Sequence, residues 1–540
     1  MKVLVVGINS KYIHTNLAIR YLKANCSFPV DLIEFTIKDA QEQILEQIIN
    51  EKPDILAFSV YIWNVEIIKA LLTTIKEKEL NINIILGGPE VSYEFNQYLE
   101  EGLANYIISN EGEIAFNLLV EALIYNKDIK NVPNVSYLDN DIVVRNKLEE
   151  IDDLEAIHNP YIFDNDDVKN KIQYVELSRG CPFNCAYCLA SLEKKVRFFS
   201  LERVKSDINT LYKKGAKTFK FLDRTFNLKP DLALDLFHFI IDNDFSKAVF
   251  QFEINGDILT DKVINYLNQN CPENRIRFEI GIQSTNDKVN EAVDRKQDTD
   301  LLFKNIKKLK KGNIIMHLDL IAGLPYEDLA SFKNTFNSAF KLYAKELQLG
   351  FLKILKGTKL YYQQSNYNYT FDKCAPYEFI ENEYLSAEDR KTIHLAEDAL
   401  EIFWNKGFLN PTIQEITSKL VSPFDFFYDL GKYYLSKGYK FHRYQLTDIF
   451  IALEEFINDD KITASIRYDY LKHHKIKPKI YWENQIKKNE IIRRFHSENL
   501  NYNIDKLYKY SVVTKYNEDY LITIYYPQKR EMHILKAYLK

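Results

Sequence analysis

Cysteine is scarce in this chain, with six residues in 540, which excludes a disulfide-stapled scaffold. Long apolar runs are missing too. The longest, residues 55–63, is nine residues broken by Ser59, whereas a helix that crosses a hydrocarbon core needs about 20. No membrane-spanning segment is expected. Neither sign of charge dominates: 76 acidic residues face 71 basic ones, a net charge of -5, so there is no global pull toward nucleic acid or anionic lipid. Neither is expected as a partner. Met1 runs within two residues into the strand-like Val3 to Val6, with no leader-like composition, so a cytoplasmic protein is expected. Repeats and low-complexity tracts are absent. What is present, 46% hydrophobic and 27% charged residues, is globular, and the length asks for two to four domains.

The first 125 residues alternate strand-like and helix-like segments. Strands are expected at 2–8, 30–37, 55–60, 82–86 and 106–109, with helices at 16–24, 41–50, 65–77, 90–100 and 113–125. That pattern reads as an α/β domain, a flavodoxin-like (Rossmann-type) open parallel sheet over 1–128, whose ligands bind at the carboxyl ends of the strands. Residues 131–146 read as two short strands about an Asp-Asn turn, within a linker taken as 129–170. A second series follows over 171–376, with strands at 174–177, 218–222, 250–254, 277–282, 317–321 and 346–351. Six strand-helix units suggest a partial TIM barrel with its active face at the strands' carboxyl ends. Residues 377–540 change to long helices such as 387–406 and 446–458, with an alternating strand at 521–526. From Gly431 onward 21 basic residues outnumber 13 acidic ones.

Three of the six cysteines, Cys181, Cys185 and Cys188, fall within eight positions directly after the first barrel strand, in Leu-Ser-Arg-Gly-Cys-Pro-Phe-Asn-Cys-Ala-Tyr-Cys. At this cysteine frequency a C-x3-C-x2-C pattern arises by chance in roughly one such chain per thousand. Three thiolates suit a cubane iron-sulfur cluster whose fourth iron has no protein ligand. The alternative is a zinc knob completed by a distant His or Cys, and no fourth ligand stands at the usual zinc spacing.

With Tyr187 before the last cysteine, this motif at the head of a partial barrel resembles the radical S-adenosylmethionine superfamily, over roughly residues 171–370. The resemblance implies a 4Fe-4S cluster that chelates S-adenosylmethionine at its open iron and cleaves it to a 5'-deoxyadenosyl radical. It also implies an external one-electron reductant such as flavodoxin or ferredoxin. Other strand ends match the family's cofactor-binding places. Asp223 in Phe-Leu-Asp-Arg-Thr replaces the usual Gly-Gly-Glu that holds the methionine amine. Gln283 and Ser284 stand where ribose contacts come from, and Ile321 and Gly323 in Leu-Ile-Ala-Gly-Leu-Pro resemble the adenine-contacting segment. Glu253 and Arg295 match less closely.

The amino-terminal sheet is similar to cobalamin-binding domains, a known partner of such barrels. Residues 9–16, Ser59-Val60-Tyr61 and Gly87-Gly88-Pro89-Glu90 carry the match. Ser59, Gly87 and Gly88 are the expected cobalamin contacts, since glycine admits close backbone approach and a serine can bond the nucleotide tail. The first loop lacks the Asp-x-His-x-x-Gly pattern that supplies cobalt with a histidine, so His14 is read as a polar loop residue and no histidine is expected on cobalt. The last 160 or so residues resemble an uncharacterised domain found with this pair. There, residues 472–494 read as a solvated basic helix face, and His473 with His474 as non-ligands because adjacent helix positions point apart.

The expectation is a cobalamin-dependent radical S-adenosylmethionine enzyme that methylates an unactivated carbon of an unknown small-molecule or peptide substrate. Cyclisation or ring rearrangement without methyl transfer is the alternative within the class, and a non-catalytic iron-sulfur sensor is the alternative outside it. A methylthiotransferase is excluded, because a second cluster-binding cysteine set is missing from the first domain, where only Cys26 lies.

Overall fold

The computed structural model describes residues 1–162, 167–483, 487–526 and 530–537. The chain forms two compact units, Met1–Asp328 with Gly350–Ser386, and Leu329–Leu349 with Ala387–Lys540. No helix among the described residues is long and apolar enough to cross a membrane.

The first unit opens with strands β1 (Val3–Asn9), β2 (Val30–Thr36), β3 (Ile55–Ser59), β4 (Asn83–Gly87) and β5 (Tyr106–Ile108), all parallel in the order β2-β1-β3-β4-β5. Every residue of β1 and β3 is buried, as expected of parallel strands covered by helices on both faces. Leu4, Val6 and Phe58 pack in the core that includes the Val65–Glu77 helix, and Val3, Val5 and Ala57 pack in the one that includes Phe116 and Leu119. The sheet is not purely parallel. The hairpin expected inside the linker forms β6 (Val135–Asp139) and β7 (Ile142–Arg145), which extend the same sheet antiparallel from β5. Asn140 and Asp141 both take positive φ at its turn, the two-residue geometry that suits a twisted hairpin.

The helix expected at 90–100 is broken into a short 3-10 turn, Pro89–Val91, and a helix at Asn96–Glu100. Tertiary contacts override its periodicity. Tyr377 Oη donates to buried Glu90 at 2.7 Å, and a Cβ on Gly357 would stand 2.4 Å from the Tyr93 ring.

The barrel strands follow: β8 (Gln173–Val175), the two-residue pair β9 (Ser178–Arg179) and β10 (Arg197–Phe198), then β11 (Thr218–Phe221), β12 (Val249–Ile254), β13 (Ile276–Gln283) and β14 (Ile315–Ala322). Strands β8, β11, β12, β13 and β14 lie side by side in chain order, all parallel. The sixth expected strand forms as β15 (Glu346–Phe351). The strand expected at 174–177 stops at Val175, because the chain turns there into the antiparallel β9-β10 pair. Along β11 to β14 burial alternates residue by residue. One face stacks Phe219 on Phe250 and Phe221 on Phe252, at centroid separations of 4.7 and 4.5 Å. The other face carries Lys220, Gln251, Glu253, Arg277, Glu279, His317 and Asp319.

In the second unit, helices Leu329–Phe340, Ala387–Leu400 and Pro423–Ser436 enclose an aromatic core of Phe336, Phe340, Trp404, Phe424 and Phe427. The helix expected at 387–406 forms, with a π turn at Glu401–Asn405. The strand expected at 521–526 is the middle of an antiparallel meander, Ser511–Tyr516, Asp519–Tyr525 and Arg530–Leu535. The basic stretch 472–494 is not one helix face. Its helix ends at His473, and the chain re-enters a helix at Lys488. Between them Trp482 is buried against Tyr470, and Tyr481 donates to Glu454 at 3.0 Å.

Candidate cofactor site

The loop after β8 is held by its backbone before any cysteine is reached. Asp223, one residue beyond Leu222 at the end of β11, accepts from the Leu177 N–H at 2.9 Å and from the Ser178 hydroxyl at 2.5 Å. It is buried, and burial raises its carboxyl to about 7 against the pull of those hydrogen bonds. Gly180 has φ +91, and a Cβ there would meet the Lys195 carbonyl at 2.4 Å, so no other residue fits the turn. The Cys181 N–H donates to the Glu193 carbonyl at 2.9 Å, and the Ala186 N–H to that of Val293 at 2.8 Å.

Cys181 and Cys185 are buried and Cys188 half-buried. Burial pushes the Cys188 thiol up, and the neighbouring thiols Cys185 and Cys181 add to that shift, so binding a metal here must expel protons. Arg295 Nη1 stands 3.9 Å from Cys185 Sγ and 3.5 Å from Tyr187 Oη, while its Nη2 donates to the Gly281 carbonyl at 2.5 Å. Among the described residues no three His, Cys, Asp or Glu side chains form a group that could hold one metal ion. A cubane takes each thiolate at a separate iron, and three thiols on one short loop fit that demand.

The structure sorts the remaining expected S-adenosylmethionine contacts. Tyr187 lies beside the cluster loop with Arg295, and burial pushes its phenol up. Gln283 ends β13 with φ 62, at a register shift against β14, and its Oε1 is buried without a partner. A left-handed glutamine costs of order 1 to 3 kcal/mol. This orphaned acceptor at a strand's carboxyl end fits a hydrogen-bond donor such as a ribose hydroxyl. Ile321 is half-buried near the end of β14. Gly323, at φ +95, is required by Phe379, whose ring would stand 2.4 Å from a Cβ, and its carbonyl accepts from Tyr369 and Asn382.

Two of the expected contacts already have partners within the chain. Both Asp223 oxygens hold the strand end that leads into the cysteines. Ser284 is fully buried, and its hydroxyl donates to Glu327 at 2.6 Å. Arg295, a lesser match in sequence, reaches Cys185, Tyr187 and the Gly281 carbonyl. Arg224, half exposed beside Asp223, reaches Glu253 at 3.5 Å.

The three cobalamin loops share the carboxyl edge of the first sheet. Gly88 has φ +114 and presses on Val60, whose carbonyl would lie 2.4 Å from a Cβ, whereas nothing stands closer than 3.6 Å to one on Gly87. Gly88 thus serves packing, and a Cβ on Gly87 would meet Ile108 at ordinary van der Waals distance. Ser59 is buried and accepts from Asn16 at 3.0 Å. Nearby Trp63, 42% exposed, stacks on Tyr61 at 4.4 Å. An exposed tryptophan stacked on a half-buried tyrosine at this edge fits a flat cofactor such as cobalamin.

His14 lies on the first loop, but its Nδ1 is 2.6 Å from Tyr174 Oη. Burial, then Lys11 and Lys220, lower its pKa, which favours the neutral ring that shares this hydrogen bond with the phenol. The first loop lacks the Asp-x-His-x-x-Gly pattern, so His14 is not expected on cobalt. Bound cobalamin(II) is expected to show no nitrogen superhyperfine splitting by electron paramagnetic resonance, and His14→Ala to leave that spectrum unchanged. A splitting lost in the variant would make His14 a ligand.

Three family models match the chain in order: the B12 binding domain over residues 3–120, the radical SAM superfamily over 175–339, and a protein domain of unknown function, DUF4080, over 365–520. An uncharacterized methyltransferase of Pyrococcus horikoshii, PH0819, is 26% identical over 300 residues, 52% of this chain and 62% of that protein. The cobalamin-dependent radical SAM methyltransferase TokK of Streptomyces tokunonensis is 26% identical over 308 residues, 53% of this chain and 45% of that protein. The chain thus spans about half the length of these curated relatives. The solved structure of the cobalamin-dependent S-adenosylmethionine radical enzyme OxsB, with aqua-cobalamin and S-adenosylmethionine bound, shares the fold at TM-score 0.60 and 15% identity, covering 87% of this chain and 79% of that one.

Proposed function

We infer, from its membership of the radical S-adenosylmethionine superfamily with a B12-binding domain ahead of the barrel and a DUF4080 domain after it, that this enzyme methylates an unactivated carbon. The observation that supports the reading is that the cysteine loop and the loops proposed to hold cobalamin belong to one compact unit, with the cysteine loop beyond the carboxyl end of the strand that residues 13–15 touch. The cluster and S-adenosylmethionine supply a hydrogen-abstracting radical, and cobalamin supplies a transferable methyl group. Enzymes of this superfamily need an external one-electron reductant, a role in which flavodoxin or ferredoxin in the cytoplasm is proposed. The chain's own residues position these groups and exclude water.

The polar face of the barrel sheet supports a charged, water-soluble substrate. A closed TIM barrel is filled by branched apolar side chains, but here Lys220 bonds Glu279 at 3.1 Å and approaches Glu253 at 3.7 Å, each side chain about a quarter exposed. Arg277 donates to His317 Nδ1 at 2.7 Å, which leaves His317 Nε2–H to donate to Asp319 at 3.0 Å. An apolar substrate would strand these charges away from water at a cost of several kcal/mol.

Counting products tests the reaction class. Methyl transfer uses two S-adenosylmethionine molecules by different routes, so S-adenosylhomocysteine and 5'-deoxyadenosine are expected in equal amounts per methylated product. Turnover that yields 5'-deoxyadenosine without S-adenosylhomocysteine would replace methyl transfer by cyclisation or rearrangement.

A further inference from the structure

The cysteine motif carries an arginine two residues ahead of Cys181. Arg179 turns into the cobalamin-binding domain. Its guanidinium reaches Glu111 at 2.8 Å and Glu113 at 2.7 Å, both from the stretch that follows β5, and Glu176 of its own segment at 3.0 Å. Its strand partner Arg197 reaches the same Glu111 at 2.6 Å and donates to the Ile151 carbonyl at 2.6 Å. The group is closed from water: Arg179 and Glu111 side chains are 11% and 9% exposed, and the Arg179 guanidinium lies over the Tyr21 and Phe199 rings. Burial works against the Glu111 carboxylate, but the Arg197 bond, the Ile151 N–H and Arg179 hold it below the usual range.

A second grip lies at the other end of the same strand. Ile172, just before β8, donates its N–H to the Ile13 carbonyl at 2.7 Å, and His14 forms a parallel bridge with it. Gln173 reaches Thr15, and Lys171 reaches Glu34 at 3.3 Å. So the cobalamin side holds β8 at its start through residues 13–15, and holds its continuation through Glu111 and Glu113. Both contacting stretches follow strands of the first sheet on its carboxyl edge, where Gly87 and Trp63 also lie.

We propose that Arg179, bound by Glu111 and Glu113, is a positioning residue that sets the distance between the cluster and the cobalamin. This rests on the two-cofactor reading given above. A guanidinium fork can meet several carboxylates at fixed angles, which an ammonium cannot. The pair therefore transmits orientation as well as charge.

The test uses the full chain, reconstituted anaerobically with iron, sulfide and cobalamin, and reads the magnetic dipolar coupling between the reduced cluster and cobalt(II) by pulsed electron paramagnetic resonance. Wild type should give one narrow cobalt-to-cluster distance. Arg179→Met and Arg179→Lys should bind full iron and cobalamin but at least double the width of that distribution, and Glu113→Gln should fall between. Lys195→Met, which removes an exposed pair with Asp152, should match wild type. An unchanged distribution in Arg179→Met overturns the proposal. Loss of either cofactor in all three network variants also overturns it, because the network would then serve folding alone. Wild type that fails to bind one of the cofactors instead fails the functional reading itself.

Discussion

Anaerobic reconstitution should load about four irons per chain, and Cys181→Ala, Cys185→Ala or Cys188→Ala should each abolish that loading and all 5'-deoxyadenosine formation. Each thiolate takes its own iron, so no neighbour can replace a missing one. The other three cysteines set the contrast. Cys271 is buried and donates to the Pro272 carbonyl, Cys26 is half-buried in the first sheet's core, and Cys374 is exposed. None is near the loop in sequence, and Cys26→Ala, Cys271→Ala and Cys374→Ala should keep full iron. Stoichiometric zinc without iron in the wild type would overturn the cluster assignment, and with it the radical reading.

Asp223→Ala should lower 5'-deoxyadenosine formation on the order of a hundredfold and lose much of the iron as well. The physical reason is the geometry of its two acceptor bonds. Removing the carboxylate leaves the Leu177 N–H and the Ser178 hydroxyl buried without partners, at about 1 to 3 kcal/mol each. The loop would shift to find water, and misplacement by about 1 Å can cost about a hundredfold in rate. Asp223→Asn, which keeps one acceptor oxygen, should fall between. Iron content and the KM for S-adenosylmethionine, measured together, separate the roles. Full iron with a raised KM would return Asp223 to the amine-binding role expected from sequence.

Asp223 shows where sequence reading stops. Its position at a strand end was legible, because strand and helix periods differ and the turn after Phe221 interrupts both. The direction of its side chain was not, since it depends on where Leu177 and Ser178 lie, 46 and 45 residues earlier in the chain. The bond from Ser284 to Glu327 was hidden in the same way. The broken helix at 90–100 failed for a related reason: its apolar spacing was helical, but Tyr377, far along the chain, claims Glu90. Gln283 was placed correctly at a strand end, whereas its left-handed backbone and orphaned oxygen come from the β13-β14 register shift.

By itself the sequence determined the alternating α/β halves, the three clustered cysteines on the loop after the first barrel strand, and the edge on which the cobalamin loops lie. These are local quantities: period, spacing and the residue types that a strand-to-helix turn exposes. Only the tertiary structure decided that the hairpin at 135–145 joins the first sheet, that Arg295 stands beside Cys185, and that Arg179 is bound by Glu111 and Glu113. Each depends on groups distant in sequence becoming neighbours, and buried ion pairs leave no periodic mark, because any carboxylate in 540 residues could have been the partner. Burial then decides which pairing holds, since a charge removed from water must be matched by whichever opposite charge the packing brings to it.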